Sequence, residues 1–521
     1  MVGVTAPRDA KCCSVEDAVA LIADGQTVAC SGFIGAAHPE ALTAAIEKRF
    51  TATGRPRGLT LVYAAGQGDA KTRGLNHLAF EGLITRVIGG HWGLAPGLGK
   101  LAIEGKIEAY NFPQGVICQL FRDIAAGRPG CITHIGLDTF IDPAVRGGRL
   151  NDVTPPGLVE RIELGGKPWL WYKSFPIHIA LIRATAADPF GNLVVDREAI
   201  IGEILPLAQA VHNSGGLVLA QVGELRDQPA NPQHVRVPGV LVDRIVVARP
   251  HEQEQTFGEV YNAAYCQPRP GAESERHRPE PLPMDERRVI AARACDELAE
   301  NAMSNLGIGM PEGIARIAAE RGLLDRVTLT VESGPIGGMP EAGLNFGASV
   351  YPQAIIDQPA QFDFYDGGGL DFAALGAAQI DPAGNVNVSK FGSKLAGVGG
   401  FVNITQTARK VVFCGTMTAG GLVVELAGGT IRIVKEGAAR KFVRQIEQIS
   451  FSSRRARQLK QEVLYVTERA VFALTDEGLE LVELAPGIDL QTQVLDMMEF
   501  RPIIRNVRPM PAHVFVKPER T

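Results

Sequence analysis

Two stretches of the chain share one pattern, LTLVYAAG at residues 59–66 and VTLTVESG at residues 327–334. Each is a short run of apolar and β-branched residues that ends in a turn of small residues, which favours a buried strand. When the two stretches are aligned, Ala64 stands opposite Glu332. A carboxylate with a structural role would tend to occur in both copies, whereas a reacting carboxylate is needed only once. The alignment therefore singles out Glu332.

The similarity extends through both halves of the chain. Upstream of each strand, a glycine loop ends in Pro-Glu and leads into a predicted helix, SGFIGAAHPEAL at 31–42 and NLGIGMPEGI at 305–314. Downstream, an apolar strand precedes Asp-Pro-x-Gly-Asn at 188–192 and 381–385, which is typical of a tight turn between strands. Strands that alternate with helices predict parallel, doubly covered sheets. We predict the α/β class, with two tandem, similar open domains, mixed sheets and an active site at their interface.

The halves are separated by residues 268–288, PRPGAESERHRPEPLPMDERR. This segment is rich in Pro, Glu and Arg and offers no apolar face, as an exposed linker does. We therefore predict an N-terminal domain at 1–267 and a C-terminal domain at 289–521 that carries Glu332. A length of 521 residues agrees with more than one domain.

Composition excludes several classes of protein. A net charge of −5 and a pI near 6.1 argue against a nucleic-acid partner. Eight cysteines without a C-x-x-C pair predict reduced thiols in a cytoplasmic protein. The first residues do not resemble a signal peptide, and no run reaches the roughly 18 apolar residues of a membrane span. The histidines lack the H-E-x-x-H spacing, so we predict no metal.

Two features indicate where chemistry takes place. Glu332 follows an apolar strand, and ligands of open α/β sheets collect at the carboxyl ends of strands. The second feature, GVGGFVNI at 397–404, has three glycines in four residues and can present backbone N–H groups to an oxyanion or phosphate. It lacks the G-x-G-x-x-G spacing of a dinucleotide site, which argues against a nicotinamide-dependent dehydrogenase.

Several motifs together resemble those of a known family. VESGPIGG at 331–338, DPAGNVNVSKFG at 381–392 and GVGGF at 397–401 resemble the class I, glutamate-dependent CoA transferases. The similarity is greatest to the single-chain propionate or acetate CoA-transferases. In the first half, SGFIGAAHPE at 31–40 and NFPQGVICQLFRDIAAGRPG at 111–130 resemble loops of the same family. The motifs occur in the family's order and cover nearly the whole chain.

The resemblance implies a role for particular residues. It makes Glu332 the catalytic nucleophile. The other implied site residues are an oxyanion and CoA loop of Gly397, Val398, Gly399 and Gly400, a CoA-binding loop of Gly307, Ile308, Gly309 and Met310, and a substrate wall of Gln114, Phe33 and Gly35. The loop GGHWG at 89–93 is a weaker candidate, in which His91 either contacts the substrate or is packed.

The implied activity is transfer of CoA from a short-chain acyl-CoA to a free acid such as acetate or propionate. The expected route is ping-pong, through an acyl-glutamyl anhydride and a glutamyl-CoA thioester. It needs no prosthetic group, with the CoA thioester as substrate, and the resemblance implies a homotetramer or homodimer. Two alternatives stay open, an acyl-CoA hydrolase that uses the same glutamate and a catalytically silent CoA- or metabolite-binding protein. The two-subunit branch has Ser-Glu-Asn-Gly where this chain has Val331 to Gly334, so the sequence does not specify the acid.

Overall fold

The computed structural model describes residues 7–270 and 281–516. Its α-helices are, in chain order, α1 (Arg8–Lys11), α2 (Val15–Ala20), α3 (Glu40–Thr53), α4 (Pro96–Ile103), α5 (Gln114–Ala125), α6 (Ile204–Asn213), α7 (Glu286–Cys295), α8 (Glu312–Glu320), α9 (Gln358–Asp366), α10 (Phe401–Thr407), α11 (Ser453–Leu459) and α12 (Leu490–Gln493).

Its strands are β1 (Thr27–Cys30), β2 (Leu59–Tyr63), β3 (Ile84–Gly89), β4 (Glu108–Asn111), β5 (Gly130–Thr133), β6 (Val159–Leu164), β7 (Lys167–Lys173), β8 (Ile179–Ala187), β9 (Leu193–Val194), β10 (Leu217–Leu225), β11 (Val235–Val237), β12 (Arg244–Val247), β13 (Met303–Leu306), β14 (Thr328–Thr330), β15 (Pro335–Ile336), β16 (Met339–Pro340), β17 (Ser349–Val350), β18 (Ala354–Ile355), β19 (Phe372–Gly376), β20 (Gln379–Ile380), β21 (Val386–Asn387), β22 (Lys390–Phe391), β23 (Lys394–Leu395), β24 (Lys410–Cys414), β25 (Thr418–Ala419), β26 (Val423–Ala427), β27 (Thr430–Lys435), β28 (Ala439–Arg440), β29 (Glu462–Val466), β30 (Ala470–Thr475), β31 (Gly478–Leu484) and β32 (Ile503–Pro509).

The chain forms two units that are interleaved along the sequence. The described residues of the first fall within Met1–Pro270, Val331–Asp363 and Gly392–Asn403, and those of the second within Gly271–Thr330, Phe364–Phe391 and Ile404–Thr521. The first unit thus contains two segments of the C-terminal half, one with Glu332 and one with the loop at 397–400. The predicted domains, 1–267 and 289–521, follow the sequence repeat and stay a prediction, and the compact units are divided differently.

The predicted linker at 268–288 lies partly outside the described residues, which omit 271–280. At its far end, helix α7 begins at Glu286 inside the predicted limits, because the side chain of Asp285 accepts from the Arg288 amide at 3.1 Å and caps the helix.

The first unit is built on a sheet with the order β11-β9-β8-β1-β2-β3-β4, and β10 lies between β8 and β12. The strands β1, β2, β3, β4, β8, β10 and β12 pair in parallel. A turn joins β8 to β9, and the two strands pair antiparallel. In this turn the amides of Phe190 and Asn192 both donate hydrogen bonds to Asp188 Oδ1. A separate antiparallel sheet has the order β5-β7-β6.

The second unit repeats this order of strands. Its strands follow the order β14-β13-β19-β24-β29-β30-β31-β32, parallel from β14 to β29 and antiparallel from β29 to β31. The series β14-β13-β19-β24 matches β2-β1-β8-β10 of the first unit. Asp381 also accepts from Asn385 as Asp188 does from Asn192. The predicted α/β class with mixed sheets is confirmed.

The helices that follow the two glycine loops also correspond. Helix α3 begins at Glu40 and α8 at Glu312, each directly after the proline of its Pro-Glu pair. Within the described part of the chain, no helix is long and apolar enough to cross a membrane.

Candidate active site

Glu332 lies in a tight turn of the first unit whose geometry is fixed on both sides. The amide of Gly334 donates to the carbonyl of Val331 at 3.0 Å, and Ser333 Oγ donates to the Gly347 carbonyl at 2.6 Å. Gly334 has φ +128°, and a Cβ there would lie 2.1 Å from the carbonyl oxygen of Ile356. Only glycine fits this position. The turn leaves Glu332 with 8 % exposure, next to the fully buried Ser333.

The residue before the nucleophile candidate is part of a hydrophobic cluster. Val331 packs in one cluster with Phe33, Ala65 and Phe346, all at most 5 % exposed, and the rings of Phe33 and Phe346 are 5.7 Å apart. This cluster brings the predicted substrate-wall residue Phe33 into the group that supports Glu332. Gly35 lies in the same loop, where a Cβ would meet the Phe257 ring at 2.3 Å, so its role in the structure is close packing.

The glycine loop at 397–400 is held by the loop at 89–93. The amides of Trp92 and Gly93 both donate to the Ala396 carbonyl, at 2.7 and 3.1 Å, and the Gly399 amide donates to the Gly90 carbonyl at 2.8 Å. Gly397 and Gly399 have φ of +72° and +51°. The two loops therefore form one hydrogen-bonded body that glycine makes possible.

Asn111 joins these loops, and sequence reasoning missed its role although it begins the quoted segment at 111–130. Its Oδ1 accepts from the Val398 amide at 3.0 Å, and its Nδ2 donates to the carbonyls of Gly89 and Gly90 at 2.8 and 2.5 Å. The side chain is fully buried. A polar residue at the end of strand β4 was the only available signal.

The loop amides are not equally available to a ligand. Those of Val398 and Gly399 are already bonded, whereas the amide of Gly400 makes no hydrogen bond within residues 7–270 and 281–516. Gln114, at the start of α5, donates its own amide to the Gly399 carbonyl at 2.9 Å. Its side-chain Nε2 is buried and has no partner in the described structure. The loop thus has an unbonded amide at Gly400, and the residue bonded to its Gly399 carbonyl has an unbonded side-chain donor.

A second buried carboxyl, that of Glu203, was not identified from the sequence. Glu203, directly before α6, is fully buried, and burial raises the pKa of its carboxyl to about 8. Its oxygens face the backbone amides of Gly32 and of Glu203 itself without a well-aligned hydrogen bond. Glu203 is therefore protonated at neutral pH, beside the glycine loop at 31–42.

The predicted CoA-binding loop belongs to the second unit. Gly307 donates its amide to the Ala374 carbonyl at 2.8 Å, and the loop then leads through Met310 to helix α8. Ile308 is 51 % exposed and Gly309, at φ +89°, has no atom within 4 Å of a built Cβ. These features describe an open apolar loop at the carboxyl end of β13.

Comparison with known proteins agrees with these observations. Residues 13–248 match the family model described as "Coenzyme A transferase". The chain is 42 % identical to the acetate CoA-transferase YdiF of Escherichia coli (strain K12), over 94 % of this chain and 92 % of that one. It is 44 % identical to the caffeate CoA-transferase of Acetobacterium woodii, over 95 % of each chain.

Solved structures show the same likeness. The crystal structure of the acyl-CoA transferase YdiF apoenzyme from Escherichia coli O157:H7 matches with a TM-score of 0.92 and 41 % identity, covering 99 % of this chain and 98 % of that one. A second YdiF crystal structure, described as a thioester complex with CoA, also has a TM-score of 0.92, at 40 % identity and 98 % coverage of each chain.

The chain belongs to the class I CoA transferase family. It is an enzyme that transfers CoA from an acyl-CoA to a free carboxylic acid, with the CoA thioester entering as substrate. The family and activity predicted from the sequence are confirmed.

Proposed function

We propose that Glu332 is the nucleophile of this transfer and that the reaction is ping-pong. The observation that carries the proposal is the turn itself, since Val331 anchors it in the core and Gly334 closes it over one nearly buried carboxylate. The relative described as a thioester complex with CoA supports a covalent route.

The proposed reaction steps need no added cofactor. The Glu332 carboxylate attacks the thioester carbonyl, the C–S bond breaks, and an acyl-glutamyl anhydride and CoA thiolate form. The thiolate attacks the glutamyl carbonyl and releases the first acid, which leaves a glutamyl-CoA thioester. A second acid then reverses both steps and departs as the new acyl-CoA. This is covalent catalysis through a carboxylate.

Each tetrahedral intermediate needs hydrogen-bond donors, and one such donor commonly contributes about 3–4 kcal/mol. We assign this role to the Gly400 amide rather than to Gly399, because Gly399 already donates to Gly90. The side-chain Nε2 of Gln114 is the second available donor. The open loop at 307–310 is proposed to line the CoA site, where binding of the distant nucleotide contributes to the rate of the chemical step.

The substrates proposed are short-chain acids such as acetate and propionate, because the relatives include an acetate CoA-transferase. We further propose a cytoplasmic homotetramer or homodimer. All eight cysteines are described and free, which supports a reducing compartment. Light scattering coupled to gel filtration measures the assembly, and a mass of one chain would contradict it.

Intact-mass spectrometry tests the nucleophile. The protein is incubated with propionyl-CoA without acceptor, and the expected product is an adduct of one CoA, lost on adding acetate as acetyl-CoA appears. Glu332→Ala should show no adduct. An adduct that persists in this variant would move the nucleophile elsewhere. Free thiol released equally fast with and without acetate would make hydrolysis the main reaction.

A further inference from the structure

The loop at 89–93 holds a histidine that the proposed steps do not use. The ring of His91 lies among three glycines. A Cβ on Gly66 would lie 2.6 Å from its Nδ1, one on Gly93 would lie 3.1 Å from its Cε1, and one on Gly399 would lie 3.5 Å from its Cβ. Backbone on three sides thus fixes the imidazole against the glycine loop that carries Gly400.

His91 differs from a buried structural histidine of the same unit. His38 has both ring nitrogens satisfied, with Nδ1 2.7 Å from Gln67 Oε1 and Nε2 3.0 Å from Thr43 Oγ1. The Nδ1 of His91 is buried and has no hydrogen-bond partner anywhere in the described structure. Buried polar atoms are normally bonded in native proteins, so the unpaired Nδ1 is available to a hydrogen-bonding group of the substrate.

The imidazole is neutral at physiological pH. Burial lowers the pKa of His91 to about 4, and the positive charge of Lys394 acts in the same direction. A neutral imidazole offers one N–H donor and one acceptor nitrogen. It therefore suits an uncharged hydrogen-bonding group better than a second carboxylate, which would favour a cation.

Gln114 completes the arrangement. Its Oε1 lies 3.6 Å from the position of a Cβ on Gly399, and the His91 Cβ lies 3.5 Å from that same position. The Gln114 Nε2 is, like the His91 Nδ1, a buried side-chain nitrogen without a partner in the described structure. In the proposed reaction, Gln114 and the Gly400 amide donate hydrogen bonds to the reacting carboxyl group of the acid. His91 can therefore form a hydrogen bond with a different atom of the acid.

We propose that His91 determines acid specificity by hydrogen bonding a hydroxyl or oxo oxygen on the second or third carbon of the acid. This inference rests on the proposed function, because it takes Glu332 and the loop at 397–400 as the reacting centre. A site that bonds a substrate hydroxyl discriminates against the analogue without it, since the buried nitrogen is then left unpaired.

The test compares matched acids with acetyl-CoA as donor: lactate against propionate, and 3-hydroxybutyrate against butyrate. We expect the wild type to favour the hydroxy acid of at least one pair by about tenfold in kcat/KM, the effect of one uncharged hydrogen bond. His91→Phe should lower kcat/KM more for the hydroxy acid than for the plain acid of that pair, so that the preference is lost. His91→Asn, which retains a donor and an acceptor, should restore part of it.

Equal losses with both acids of a pair would overturn the proposal, because His91 would then act on the reacting group or on folding. A wild type without preference, or a preference unchanged in both variants, would also overturn it. Formation of the CoA adduct in each variant shows that the Glu332 chemistry is intact. Absence of the adduct from the wild type would instead refute the proposed nucleophile.

Discussion

The turns at 63–66 and 331–334 occupy the same place in the repeat, and both belong to the first unit. Ala65 of one and Val331 of the other pack in the same hydrophobic cluster. Ala64 is fully buried, whereas Glu332 at the matching position keeps 8 % exposure. One copy of the turn thus completes the core and the other presents a carboxylate from it. The comparison shows that one turn geometry can hold either a buried methyl group or a carboxylate.

The largest effect should follow from removing this difference. Glu332→Ala makes the two turns alike, and we expect kcat/KM to fall by about 10⁴-fold or more, as for other covalent nucleophiles. The measurement is CoA transfer from propionyl-CoA to acetate. Glu104→Ala, an exposed glutamate at the end of α4, is the matched control and should retain full activity. A loss below about tenfold in Glu332→Ala would mean that the turn carries no nucleophile.

The reverse substitution should damage the fold instead. Ala64→Glu places a carboxylate at a fully buried position, and an uncompensated buried charge costs about 3 kcal/mol or more. Denaturant unfolding should show this loss, and the variant Ala64→Ser should lose much less. If Ala64→Glu were as stable as the wild type, the two turns would be interchangeable and the comparison would fail.

Replacing the glycine that closes each turn should also have different effects on stability in the two copies. Gly334→Ala forces a Cβ within 2.1 Å of the Ile356 carbonyl oxygen at φ +128°, so backbone must move. Gly66→Ala brings a Cβ within 2.6 Å of the His91 Nδ1, but this glycine does not have a positive φ and the contact is with a side chain rather than with backbone. We expect Gly334→Ala to lose about 2 kcal/mol or more of unfolding free energy and Gly66→Ala to lose less. Equal melting temperatures would contradict this ranking.

The smallest effect concerns the other buried carboxyl, Glu203. Burial raises its pKa in the folded protein to about 8, from an ordinary value of 4.5. The folded state therefore holds its proton while the unfolded state loses it, so stability falls as the pH rises from about 4.5 to 8. Glu203→Gln should lack this contribution, so its melting temperature relative to the wild type should be higher at pH 7.5 than at pH 5.5. A constant difference at both pH values would show that Glu203 does not titrate as a buried acid.

Local patterns carried most of what the sequence could predict. The strands before Gly66 and Gly334, and the Asp-Pro-x-Gly-Asn turns, depend on neighbours in the chain, so composition reveals them. Glu332 stood out because a repeat offers an internal control. The bond of Asn111 to Val398 and the use of the Gly399 amide by Gly90 join residues hundreds of positions apart. No local pattern encodes such pairs, and the same applies to Glu203, whose protonation depends on burial alone.

The interleaving of the units bears on how such a chain could be divided. Segment 331–363 carries Val331 and Phe346 into the core of the first unit. A gene cut at the linker would yield an N-terminal fragment that lacks part of its own core, with Phe33 and Ala65 left uncovered. The two fragments would then need to be synthesised together and to assemble by complementation. In this architecture, fusing the two genes would supply stability as well as equal dosage.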